Sequence, residues 1–159
     1  MRAVLVPGVL ALLPEYAGIE DPVAELRAAC VEAVAWLGAD VTVLADEQGR
    51  RVADHLLAAT ARKTGDPSYL VVGNGSAKRS EKAPGHLDER AHAFDDVLGA
   101  ALRSGVLTDV DLSLAAELWA SVGAIEDLRG LLHGETATVD YDHDPFGVQY
   151  WVMRWRCES

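Results

Sequence analysis

Tyr69-Leu-Val-Val-Gly-Asn-Gly-Ser-Ala-Lys-Arg-Ser-Glu-Lys-Ala-Pro-Gly-His-Leu-Asp-Glu-Arg90 decides the fold class of this chain. It opens on an apolar run of β-forming residues. Two glycines then flank Asn74, and Ser76, Lys78, Arg79 and Lys82 follow before the Pro84-Gly85 break and a charged helix start. Open α/β sheets carry their ligands beyond the carboxyl ends of the strands, in loops of this kind.

Upstream, Ala3–Val6 predicts a short buried strand stopped by Pro7-Gly8. Asp21-Pro22 begins a helix with Asp at the N-cap and Pro in the first turn. That helix runs through Val23–Leu37, with Val23, Leu26, Ala29, Cys30, Ala33, Val34 and Leu37 as its apolar stripe and Gly38 as its stop. Val41–Leu44 is the second strand, Arg51–Lys63 the second helix and Tyr69–Val72 the third strand. Strands alternating with helices predict a parallel sheet with right-handed crossovers. Downstream, helices are expected over Leu87–Arg103, over Leu112–Ser121 with Asp109 or Asp111 as cap, and over Ile125–Leu132. Thr136–Tyr141 and Gly147–Trp155 close the chain as two strands. In the last, Val148, Tyr150 and Val152 face one side while Gln149, Trp151, Met153 and Trp155 face the other, so both faces are expected to be covered.

The chain has 159 residues, half of them hydrophobic, which suits one ordered α/β domain over residues 1–159. A net charge of −11 is the wrong sign for a nucleic-acid or anionic-membrane surface. No apolar stretch is long enough to span a bilayer. The amino-terminal apolar run has one Arg before it and is split by Pro7-Gly8, which argues against a signal peptide. Cys30 and Cys157 lie far apart without a CxxC pattern, so two free thiols in a reducing cytoplasm are expected.

The strand ends that would line a crevice carry Pro7-Gly8, Asp46-Glu47 and Asn74-Gly75-Ser76. The candidate ligand-binding residues are Asn74, Ser76, Lys78, Lys82, His86 and Asp46. The glycines suit either an ordinary tight turn or a nest of N–H groups for an anion, and the lysines would favour a carboxylate or phosphate. The loop is neither a Walker A sequence nor GxGxxG, since no third glycine follows Gly73 and Gly75 at the required spacing. Ser76 lacks the GxSxG pattern of a nucleophile and suits a cap or turn hydroxyl. His55, His86, His92, His133 and His143 form no paired ligand motif. Asp140, Asp142, His143 and Asp144 suit a solvated hairpin connection. Trp119, Trp151 and Trp155 suit core or interface positions.

Taken whole, residues 73–91 closely resemble a segment of the LigB-like actinobacterial proteins of the class III extradiol dioxygenase type. These are relatives of the LigB-type ring-cleavage dioxygenases and, more remotely, of the Memo proteins. Val6-Pro-Gly-Val-Leu-Ala-Leu-Leu-Pro-Glu-Tyr-Ala-Gly18 resembles the family's opening strand and loop. Phe94-Asp95 and Asp111–Leu118 resemble its central helical part, and Tyr141–Trp155 its closing strand. The resemblance implies a three-layer α/β/α fold around a mostly parallel sheet, and in active members an Fe(II) held by two His and one Glu, with a further His as acid/base. Here the first ligand position falls on Gly8 and the acid/base position on Ala77. The block that would supply the second His is shortened, and His55 has no matching motif. No metal ligand therefore transfers to this chain, and no cofactor is expected.

The sequence supports three readings. The first is a LigB-like protein that has lost ring cleavage and keeps a crevice for a small anionic or aromatic ligand, or an interaction role. The second is a metal-independent or altered-metal enzyme acting on a carboxylate or phosphate at the Gly73–Ser76 loop. The third is a small structural protein of an assembly, which an exposed Trp or Tyr would favour. A shortened sheet leaves an edge to be covered, so a homodimer is also expected.

Overall fold

The computed structural model describes residues 1–14 and 21–158. The expected loop over residues 14–18 lies largely outside them. The elements are β1 (Arg2–Val6), α1 (Ala24–Ala35), β2 (Val41–Leu44), α2 (Glu47–Ala58), β3 (Ser68–Val72), α3 (Ala91–Ser104), α4 (Gly123–Asp127), β4 (Thr138–His143) and β5 (Tyr150–Arg156). Short 3-10 turns occupy Leu10–Leu12 and Leu128–Gly130. The fold is α/β. No helix among the described residues is long and apolar enough to cross a membrane.

The sheet order is β2-β3-β1-β5-β4. β1 pairs with β3, and β3 with β2, in parallel. β5 lies antiparallel to both β1 and β4. The expected mostly parallel sheet is thus a mixed one. The short connection between β4 and β5 permits only an antiparallel neighbour, whereas the α1 and α2 crossovers permit parallel ones. At β4 the register slips between Val139 and Tyr141, a bulge at Asp140.

Each face of the sheet packs its own core. Val4, Val6, Leu70, Val72, Tyr150 and Val152 meet Leu26, Cys30, Val34, Val52 and Leu56 of α1 and α2. Ala3, Leu5, Val71, Trp151, Met153 and Trp155 meet Phe94, Leu98, Leu102, Leu118 and Ile125 on the other face. The alternation along β5 is the one its sequence predicts, and its buried indole is satisfied because Trp155 Nε1 donates to the Leu102 carbonyl at 3.0 Å.

Several boundaries move, each for a visible reason. α2 starts at Glu47 rather than Arg51, because Asp46 caps it by accepting from the Gly49 N–H at 2.7 Å. α3 starts at Ala91 rather than Leu87. The Asp88 amide is taken by the Lys78 carbonyl, and the Asp88 carboxylate accepts from the Arg90 N–H at 2.9 Å. Asp111 does accept from the Ser113 N–H, but residues 112–121 form successive turns instead of a helix. The carbonyls of Leu118 and Ser121 and the amide of Ser121 are bonded to the glycine loop and cannot continue a helical ladder. Gly38 is needed for close approach: a Cβ there would lie 2.3 Å from the Asp66 carbonyl oxygen.

Candidate functional site

The glycine loop leaves β3 and is immediately taken up by four other parts of the chain. The Gly73 amide donates to Val6, Asn74 to Ser121, Gly75 to Gln149 and Ala77 to Leu118, at 2.9–3.0 Å. The Ser76 amide donates to Asp95 Oδ1 at 2.8 Å. Five consecutive N–H groups are therefore satisfied inside the molecule. A Cβ at Gly75 would lie 2.6 Å from Asp95 Oδ1, and one at Gly73 2.7 Å from the Ser121 carbonyl oxygen. These glycines serve close approach of backbone to neighbours rather than a left-handed turn.

The loop does enclose an anion, and it is the carboxylate of Asp95. This side chain is 2% exposed on α3. It accepts the Ser76 amide, the Ser76 hydroxyl at 2.6 Å and Arg79 Nη1 at 3.0 Å. Arg79 Nε reaches on to Asp144 at 2.8 Å. Burial alone would lower the Arg79 pKa, and the Asp144 and Asp95 carboxylates together raise it above its ordinary value. Such a charge is tolerable inside only because it is paired and hydrogen-bonded. Ser76 is fully buried, and its hydroxyl donates to Asp95.

The other candidates lie apart from this centre. Asp46 is exposed at the head of α2 and borders a crevice of about 280 Å³ beyond the carboxyl ends of β2 and β3. Ala45, Val72, Ser121, Gly123, Ala124 and Asp127 complete its lining. Asn74 is half-buried, bridging through its backbone to Ser121 at that crevice's margin. Lys78, Lys82 and His86 lie further along the loop. Lys78 Nζ sits 5.4 Å from the ring centroid of Trp119, Lys82 is exposed, and His86 is exposed with a left-handed φ of 60°. The structure thus puts Asp46 on the crevice, ties Asn74 to Ser121 of its wall, and leaves Lys78, Lys82 and His86 further along the loop.

Gly8 and Ala77 carry no donors. A Cβ at Gly8 would lie 3.3 Å from Val72 Cγ1 and 3.8 Å from the Gly49 Cα, and Ala77 is buried. Among the described residues no three His, Cys, Asp or Glu side chains stand where they could hold a metal ion. The residues present do not fit the two-His, one-Glu Fe(II) site that the resemblance implies. The hairpin carboxylates are spread over separate arginines: Asp140 pairs with Arg154, Asp142 with Arg103 and Asp144 with Arg79.

Sequence reasoning missed the role of Asp95, although a signal was present. Ala91, Phe94, Asp95, Leu98 and Leu102 recur at helical spacing, which puts one carboxylate inside an apolar stripe. It also missed Asp127 and Ser121, which reach the crevice only through tertiary pairing; of the core or interface positions expected for the tryptophans, Trp151 and Trp155 are in the core and Trp119, 57% exposed, is not. Compared with protein-family models, with curated proteins and with solved structures, the chain finds no match.

Proposed function

We propose that this chain is a shortened, LigB-like, three-layer α/β/α domain without iron-dependent ring cleavage, working in the cytoplasm as a binding protein. Its ligand is a small hydroxylated aromatic held in the crevice beyond β2 and β3. The observation that carries the loss of chemistry is the internal bonding of all five loop amides and of the Ser76 hydroxyl. Catalysis by the loop would need donors free to meet charge developing on a substrate.

The charge of the crevice favours a neutral aromatic over an anion. Asp46 and Asp127 flank it, while Ala45, Val72 and Ala124 supply apolar walls. Phenolic hydroxyls can donate to the carboxylates, whereas a carboxylate or phosphate would be repelled. Thermal melting with catechol, benzoate and inorganic phosphate tests this. Catechol is expected to raise Tm by mass action, by the equivalent of about 2.7 kcal/mol at a hundredfold excess over Kd. Benzoate and phosphate are expected to do nothing, and Asp127→Ala to remove the catechol effect. A shift with phosphate but none with catechol would refute the reading.

A further inference from the structure

Asn74 is the one asparagine of this chain, and a glycine follows it. An asparagine in that position is open to attack on its side-chain carbonyl carbon by the next backbone nitrogen, because glycine puts no Cβ in the way. Packing forces the glycine. A Cβ at Gly75 would lie 2.6 Å from Asp95 Oδ1 and 2.8 Å from Gln149 Cβ. The close approach that seats the loop therefore brings a chemically labile pair with it.

The seated loop opposes each step of that attack. The Gly75 nitrogen must lose its proton, and that N–H donates to the Gln149 carbonyl at 2.9 Å. The Asn74 side chain must swing onto the nitrogen, and its Nδ2 donates instead to the Gly75 carbonyl at 3.0 Å. The backbone between them must turn, and the Asn74 N–H and C=O are both bonded to Ser121 at 3.0 Å. The next amide, that of Ser76, is held by Asp95.

We infer that Asn74 is a conditional modification site, inert while the loop is seated and self-modifying once it opens. On opening, the Gly75 nitrogen bonds to Asn74 Cγ and gives up its proton to solvent, and the side-chain nitrogen leaves as ammonia. Water then adds to one carbonyl of the five-membered imide and breaks its bond to the Gly75 nitrogen, leaving aspartate or isoaspartate at position 74. Nothing is oxidised or reduced, and water is the co-reactant. Isoaspartate routes the backbone through the former side chain and lengthens it by one carbon. The pairings of residue 74 with Ser121 and of Gly75 with Gln149 then fall out of step. Either product also adds a carboxylate at the margin of a crevice that Asp46 and Asp127 already line. An opening of the loop is thereby recorded in the covalent structure. This holds whatever the crevice binds.

The test incubates the folded chain near neutral pH beside a synthetic peptide of residues 64–78, the fragment that trypsin releases between Lys63 and Lys78. Conversion is read in that fragment by mass and by chromatographic separation of the isoaspartyl form, and the single asparagine makes the assignment unique. The folded chain is expected to convert at least about tenfold more slowly than the peptide, since the rate is scaled by the fraction of open loop. Urea below the global unfolding transition is expected to speed it. Ser76→Ala, checked for folding by circular dichroism, is expected to convert about tenfold faster than the parent because it loosens the seat. Isoaspartyl chain, made by incubation in the unfolded state and then refolded, is expected to melt below the parent. A folded chain that converts at the peptide's rate, a folded Ser76→Ala variant that converts at the parent's rate, or an isoaspartyl chain with the parent's Tm would each overturn the inference.

Discussion

Asp95 is the residue on which the glycine loop depends. Its two oxygens gather an amide, a hydroxyl and a guanidinium from residues 76 and 79, and Arg79 passes the connection to Asp144. Removing one member leaves a buried donor or acceptor short of a partner, and how many are left short sets the size of the effect. Asp95→Ala is expected to cost about 3–5 kcal/mol, since it leaves the Ser76 amide and hydroxyl without an acceptor and Arg79 with Asp144 as its one remaining carboxylate. Ser76→Ala, which removes a single bond to a carboxylate, is expected to cost about 1.5–3 kcal/mol. Denaturant unfolding of both variants measures this, and a smaller loss for Asp95→Ala than for Ser76→Ala would contradict the arrangement.

Among the elements, glycines and caps decide where the chain turns. Gly75→Ala is expected to destabilise strongly, because the new methyl would lie 2.6 Å from Asp95 Oδ1 and 2.8 Å from Gln149 Cβ. Gly123→Ala meets no atom within 4 Å and serves as the neutral comparison. Thermal melts that ranked the two alike would count against the close packing described for the loop. Much at this scale was legible in the sequence. β1, β2, β3 and the two-faced β5 follow from apolar runs, and α1 from its stripe. Residues 112–121 have helical patterning, but their carbonyls and amides are claimed by a loop some forty positions earlier, and no local signal records that. Asp46 likewise looks like a crevice carboxylate from its place after β2, while its Oδ1 is engaged in capping α2. A residue can hold both roles only through its second oxygen.

For the whole molecule, the two faces of the sheet and the chemistry at its end are separable. One face carries Tyr150, whose phenol burial pushes up to about 12, with Tyr141 nearby adding to the shift. The folded state therefore holds on to a proton that the unfolded chain releases near pH 10. The resulting stability is complete below about pH 10 and is lost as the pH climbs to about 12. Tyr150→Phe is expected to flatten that alkaline decline, and an unchanged slope in pH-dependent melting would show that the phenol is not held neutral. At the other extreme, the Arg90 side chain and backbone hold Asp88 down to about 2. Its contribution is present above about pH 4 and fades as pH falls toward 2, and its exposure keeps that contribution small.

The position of the glycine loop was legible in the sequence, and its bonding was not. The glycine loop does stand at the carboxyl end of a parallel strand, where ligands of such sheets bind. What its composition could not reveal is that its polar groups face inward, on a carboxylate supplied by α3, while the crevice proper is lined by Asp46 and Asp127. The proposed loss of ring-cleavage chemistry can be put to trial by anaerobic titration of the purified chain with Fe(II), followed by oxygen uptake on adding catechol. No stoichiometric iron is expected, and no oxygen uptake above that of free Fe(II). One tightly held iron per chain, with oxygen consumed and a ring-opened product formed, would contradict the proposed loss of chemistry.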